Sequence, residues 1–227
     1  HIIRKAIPIC IYICIGMCIP LLLSNNKVGD KEMPESKVAA LAVVPEVPAE
    51  VYFAAEPIKL NRADLRERMD REITVFTYSH QLTLLMIKRA NRYFPIVEPI
   101  LKECGVPDDL KYLRVIESNL SPLARSSAGA AGMWQFMQET GRKYGLEVNA
   151  NIDERYNIEK ATRAACAYLK ESYELYGDWM TVAASYNGGQ NGITRRLDQQ
   201  GVDNAMDLWL VEETSRYMFR ILTAKMV

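Results

Sequence analysis

Residues 107–118 read PDDLKYLRVIES, and their pattern governs how the rest of the chain is read. Asp108 and Asp109 behind Pro107 offer a cap and favourable charge to the first turn of a helix, and Leu110, Leu113 and Glu117 then recur at helical spacing. Glu117 therefore shares a stripe with leucines. A carboxyl group held against hydrocarbon loses the hydration of its charged form, so its pKa rises and it can carry a proton near neutral pH, as a general acid must. On this helix alone the plainer reading is a solvated glutamate at a frayed end, paired with Arg114 one turn back for about a few tenths of a kcal/mol.

Working outward, the sequence after residue 60 has helical spacing nearly throughout and no convincing strand alternation. Helices are expected near 61–75, 81–92, 95–104, 108–118, 131–143, 159–176, 179–186 and 205–226. The strongest period is Ala161, Ala164, Ala165, Tyr168, Leu169, Ser172 and Tyr176, whose small residues allow another helix to approach closely. Gly177 and Asp178 end it. The expected fold class is all-α, a compact helical domain over 61–227 with loops 119–130, 145–158 and 187–204 as walls of a groove.

The N-terminal part differs. Arg4 and Lys5 precede an uncharged apolar run from Ala6 to Leu23, which reads as an export signal or a membrane anchor. The positive flank would stay in the cytoplasm, placing the rest of the chain in the cell envelope, on the periplasmic side. Residues 24–60, with Pro34, Pro45, Pro48 and Pro57 and no sustained period, read as a flexible tether of about 35 Å coil dimension. An irregular strap packed on the domain is the alternative. Cys18 after Gly16 and Met17 is a candidate lipid acceptor, although Met17 stands where a small residue is usual. The chain opens on His1 and stops at Val227 inside an apparent helix, so a longer native chain is expected.

Composition excludes some functions. The formal charges cancel and no basic run occurs, which argues against a nucleic-acid partner bound by phosphate neutralisation. No metal and no organic cofactor is expected, because there is no CxxC pair and His80 is the only histidine after the apolar run. Cys104 and Cys166 are either a disulfide pair or two buried thiols.

The chemistry gathers in the residues after Glu117. Ser126 and Ser127 open a loop of small residues through Gly132, which lets a bulky substrate approach the backbone, and Trp134 and Gln135 follow on the next expected helix. Tyr186 and Asn187 before Gly188 and Gly189 repeat the theme of a ring for a sugar face, an amide beside it and glycines ending the helix. Each piece alone is ordinary: such loops are usually turns, and such tryptophans are usually core.

In this order they resemble the lytic transglycosylase family with a goose-lysozyme-like (SLT) domain, in particular its membrane-bound D group, across about residues 95–225. The resemblance runs through Glu117-Ser118, then 124–130 (ARSSAGA), 132–137 (GMWQFM), 185–189 (SYNGG) and 213–217 (ETSRY). It implies a lysozyme-like fold and a peptidoglycan lytic transglycosylase. Such an enzyme cleaves the β-1,4 bond from N-acetylmuramic acid to N-acetylglucosamine and leaves a 1,6-anhydromuramoyl end. By position, Glu117 is the general acid and base, Ser126, Gln135, Met137, Tyr186, Asn187, Glu213 and Tyr217 line the glycan groove, and Tyr217 orients Glu117. The implied partners are glycan strands, the membrane through the N-terminal segment, and LysM modules in a longer chain. Ser185, Gln138 and Phe219 replace the alanine, proline and proline frequent in the family, which puts packing rather than catalytic groups in doubt. A goose-type hydrolase on the same fold and a non-catalytic glycan-binding scaffold are the alternatives.

Overall fold

The computed structural model describes residues 45–227. The signal or anchor expected at 1–23, and the tether from 24 to 44, lie outside the described residues.

Residues 50–60, expected as the end of a tether, instead form a hairpin on the domain. Strand β1 (Glu50–Phe53) pairs antiparallel with β2 (Glu56–Lys59), with Val51 opposite Ile58. Val51, Phe53, Ile58 and Leu60 are all buried, and burying four large apolar side chains offsets the cost of ordering this short segment. The turn carries no Asn-Gly signal. Ala54 and Ala55 occupy it with φ of 53° and 68°, a conformation that costs a non-glycine residue about 1–2 kcal/mol. The Ala54 amide is held by Asp109 Oδ2 at 2.7 Å.

The remainder is helical: α1 (Ala63–Tyr78), α2 (His80–Cys104), α3 (Tyr112–Ser118), α4 (Gln138–Lys143), α5 (Ile158–Tyr176), α6 (Trp179–Gly188), α7 (Gln190–Gln200) and α8 (Glu212–Met226), with 3-10 turns at Asp108–Lys111, Glu154–Tyr156 and Ala205–Asp207. This is the expected all-α, lysozyme-like class. Helix α6 lies at its centre, where Trp179 through Ser185 are all buried, and it packs against α5, α7 and α8. A helix with no wet face needs an unambiguous start, and Asp178 supplies one by accepting from the amides of Met180 and Thr181. Glu72 on α1 is almost fully buried and accepts from Arg216 of α8 at 2.7 and 3.4 Å, pinning those helices together.

Four boundaries differ from expectation. The segments 81–92 and 95–104 are one helix, α2, which continues through Pro95 and Pro99; Asn91, Pro95 and Pro99 are exposed, so water can serve the carbonyls that the missing amides leave free. The helix expected at 131–143 begins only at Gln138, because Gly132 and Gln135 hold positive φ of 77° and 51°. Part of the loop expected at 187–204 is helix α7. The helix expected from 205 begins at Glu212, since Gln200 holds both the amide and the carbonyl of Trp209 in an extended connection.

Candidate active site

Helix α3 begins as a 3-10 turn that no side chain caps. Asp109 is spent elsewhere, on the Ala54 amide and on Lys225 of α8 at 2.6 Å, and Asp108 pairs with Lys111. The helix ends abruptly. Asn119 and Leu120 both take left-handed φ, of 49° and 56°, and their amides close on the carbonyls of Val115 and Arg114. Glu117 thus stands on a last turn that cannot fray, and Ser118 Oγ lies 3.1 Å from the Arg114 carbonyl and 2.9 Å from that of Met133, tying the turn to the next loop.

Helix α8 faces this turn with Glu213, Tyr217 and Arg220, spaced to share one face. The Tyr217 hydroxyl donates to Glu117 Oε1 at 2.7 Å. Glu117 is partly accessible, and its carboxyl is pushed up to about 7: burial raises it most, the Tyr217 hydrogen bond and the Arg220 charge oppose this, and the Glu213 charge adds to it. Tyr217 and Tyr186 are both raised well above the ordinary phenol range, first by burial and then by the charge of Glu117. The acid and both phenols therefore share one poorly hydrated space.

The loop that follows is built from the backbone outward. Ser126 exchanges amide and carbonyl bonds with Ala130 and Gly129, and its Oγ accepts from the Ala130 amide at 3.0 Å. Gln135 Nε2 donates to the carbonyls of Gly132 and Ala124 at 2.7 and 3.3 Å, which leaves its Oε1 as the atom for a ligand. Arg155, nearly fully buried in its 3-10 turn, donates to the carbonyls of Gly129 and Phe136 at 2.8 and 2.9 Å while Asp153 holds its other nitrogens. Gly132 passes so close that a Cβ there would stand 1.8 Å from the Arg155 carbonyl oxygen.

Of the residues the sequence selects, the structure joins Tyr217 to Glu117 and sets Tyr186 and Glu213 close enough for charge to act between them and that acid. Tyr217 touches Glu117, and Tyr186 donates to the Trp134 carbonyl at 2.7 Å with its ring among Trp134, Phe136 and Tyr168. Asn187 lies half-buried in the last turn of α6, without a side-chain hydrogen bond among the described residues. Met137 and Glu213 are exposed, and Trp134 and Gln135 precede α4 instead of lying on it. The plain pairing of Glu117 with Arg114 does not occur. Arg114 is fully buried, with its guanidinium 5.1 Å from the Trp134 ring and 5.6 Å from the Phe94 ring.

Sequence reasoning missed Arg155 and Arg220, and it gave Ser118 no role beyond its place beside Glu117. Arg220 follows Tyr217 by three positions on an amphipathic helix, and that spacing was the signal that could have found it. Cys104 and Cys166 are free thiols, and Cys166 is raised first by burial and then by a hydrogen bond with Cys104. Among the described residues no cluster of His, Cys, Asp and Glu could hold a metal ion, and no helix is long and apolar enough to cross a membrane.

An acid on a capped helix end, held by a tyrosine of a second helix, stands in an all-α, lysozyme-like frame. Residues 96–207 match the family described as the Transglycosylase SLT domain, and the chain belongs to that family. It is similar to the membrane-bound lytic murein transglycosylase D of Escherichia coli K12, 31% identical over 163 residues, which cover 70% of this chain and 35% of the relative. It is also similar to the peptidoglycan transglycosylase gp16 of Escherichia phage T7, 34% identical over 88 residues, covering 38% of this chain and 7% of that protein. The chain thus spans about a third of the length of the E. coli relative it matches.

Proposed function

We propose that the chain is a peptidoglycan lytic transglycosylase of the cell envelope in which Glu117 acts as the sole general acid and base. The observation that carries this reading is the short hydrogen bond from Tyr217 to a carboxyl group whose pKa lies near 7, inside an SLT domain. Protonated Glu117 gives its proton to the glycosidic oxygen as the bond to muramoyl C1 breaks. The resulting carboxylate then takes the proton from the muramoyl C6 hydroxyl as that oxygen attacks C1, closing the 1,6-anhydro ring and restoring the acid. One residue serves both steps because the first leaves it in the form the second needs. Attack from within the same sugar gains from high effective molarity, and no water has to be bound. Tyr217 holds the carboxyl in one orientation through both steps. Ser126, Gln135 Oε1, Met137, Tyr186 and Asn187 contact the glycan, and Glu213 biases the acid toward its protonated form. Attachment to a membrane on the periplasmic side is supported by the apolar run 6–23 and by the membrane-bound character named for the E. coli relative.

A hydrolase is the second reading, supported by Glu213, an exposed carboxylate whose charge acts on Glu117 and which would activate water as a general base. Mass spectrometry of a muropeptide digest separates the two. Anhydro products from wild type, with a loss of at least about 100-fold in Glu117→Gln, are expected. Reducing ends lacking the anhydro mass would establish the hydrolase, full turnover by Glu117→Gln would remove Glu117 from the chemistry, and no cleavage by wild type would leave only a glycan-binding scaffold.

A further inference from the structure

A concavity of about 290 Å³ lies beside the acid where α1, α2 and α8 meet the end of α3, and none of the residues assigned to the glycan groove lines it. Its walls include Val75 and Leu82, both more than 40% exposed, and Ile116, the residue before Glu117. Three charged side chains line it. Glu72 and Arg216 neutralise each other through their paired hydrogen bonds. Arg220 has neither an ion pair nor a side-chain hydrogen bond among the described residues, so the concavity keeps one uncompensated positive charge beside apolar walls. Arg220 lies one helical turn, about 5 Å of axis, beyond the tyrosine that holds Glu117, and its charge reaches that carboxyl.

We propose that this concavity is a subsite for the carboxylate-bearing peptide that hangs from the muramoyl sugar, with Arg220 pairing the carboxylate and Val75 and Leu82 receiving a small aliphatic side chain. The proposal rests on the peptidoglycan reading above. Murein glycan carries its negative charge mainly on those peptides, through carboxylates next to alanine methyls, and that mixture matches the walls. A free phosphate would want several converging donors, whereas one unshared guanidinium is present. A purely apolar partner would bury that guanidinium unpaired, at a cost that forbids tight binding.

The test compares kcat/KM of the full chain on peptide-bearing peptidoglycan and on strands stripped of peptide by an amidase. Wild type is expected to favour the peptide-bearing strands. In Arg220→Gln the ratio of the two values should fall about tenfold, the worth of one charge-assisted hydrogen bond. Arg220→Lys should recover most of it, and Leu82→Glu, which sets a negative charge on the rim away from the acid, should lower it again. Because only a ratio is read, an effect of Arg220 on Glu117 itself cancels. A wild-type ratio of one, or a ratio unchanged in Arg220→Gln, overturns the subsite. If the chain cleaves neither strand, the transglycosylase reading fails, and titration with N-acetylmuramoyl-L-alanyl-D-glutamate decides the subsite alone. Binding weakened about tenfold by Arg220→Gln sustains it, and no binding to wild type overturns it.

Discussion

A glutamate that gives a proton and then takes one back needs a pKa close to the working pH, and Glu117 reaches it through opposed influences. Burial lifts the carboxyl to about 7 from an ordinary 4.5, while the Tyr217 hydrogen bond and the Arg220 cation hold it from rising further. In the proposed mechanism the acid form starts the reaction, so cleavage should fall about tenfold per pH unit above pH 7, measured as release of soluble muropeptides. Tyr217→Phe removes a bond that favours the carboxylate, so the falling limb should move to higher pH while the rate at pH 6 drops about tenfold from lost orientation. An unmoved limb would show that Tyr217 does not act on the acid. Arg114, one turn before, sits fully buried with Nε and Nη2 unpaired, and burial lowers its pKa to about 9. Replacing such a charge by an apolar side chain of similar length removes a desolvation cost that ring contacts only partly offset, so Arg114→Met should stabilise the fold by about 1 kcal/mol or more, read as a higher thermal midpoint. Leucine spacing made Glu117 legible in the sequence. Nothing there separated Arg114 from a surface arginine, because its burial depends on Phe94 and Trp134, which come from other segments.

At the scale of the element, the 119–137 segment shows how far glycine and small-residue patterns can be read. Their presence marks a loop where backbone approaches a ligand, but the pattern does not say which second segment the backbone leans on. Gly132 leans on the Arg155 carbonyl, and Arg155 then reaches back to clamp Gly129 and Phe136. Gly132→Ala would set a Cβ at 1.8 Å from that oxygen on a backbone with φ of 77°. The strained φ alone costs about 1–3 kcal/mol, and relief of the clash requires the 3-10 turn to move, so a loss of about 3 kcal/mol or more is expected in urea unfolding. Activity should fall with it, since the same clamp positions Ser126 and Gln135. A variant as stable and active as wild type would mean that the loop is not held as described. The hairpin was illegible for a related reason: its two-alanine turn resembles any tether sequence, and only burial of Phe53 and Leu60 against distant helices makes it a strand pair.

At the scale of the whole molecule, that hairpin is what joins segments far apart in sequence. Lys225 of α8 donates to the Tyr52 carbonyl at 2.7 Å and to Asp109, which also holds the Ala54 amide, so β1, the start of α3 and the end of α8 meet at one carboxylate. On the opposite strand, Glu56 accepts from the Trp179 amide at 3.2 Å and shares a hydrogen bond with Asp178, the cap of the central helix. Two carboxyl groups can share such a bond only while one keeps its proton, and the pKa of Glu56 is accordingly raised to about 7, first by burial and then by Asp178. The folded pKa lies above the ordinary 4.5, so this contribution to stability is complete below about pH 4.5 and is lost as pH rises through 7. Above that pH the two carboxylates repel, and the hairpin should detach more often from α6. Amide exchange across residues 50–59, corrected for the intrinsic effect of pH, should therefore lose protection between about pH 4.5 and pH 7. Glu56→Gln keeps a donor toward Asp178 at every pH, and its protection should stay flat over that interval. Parallel profiles in the two proteins would remove the clasp from the account and leave the hairpin held by its buried side chains, Lys225 and Asp109.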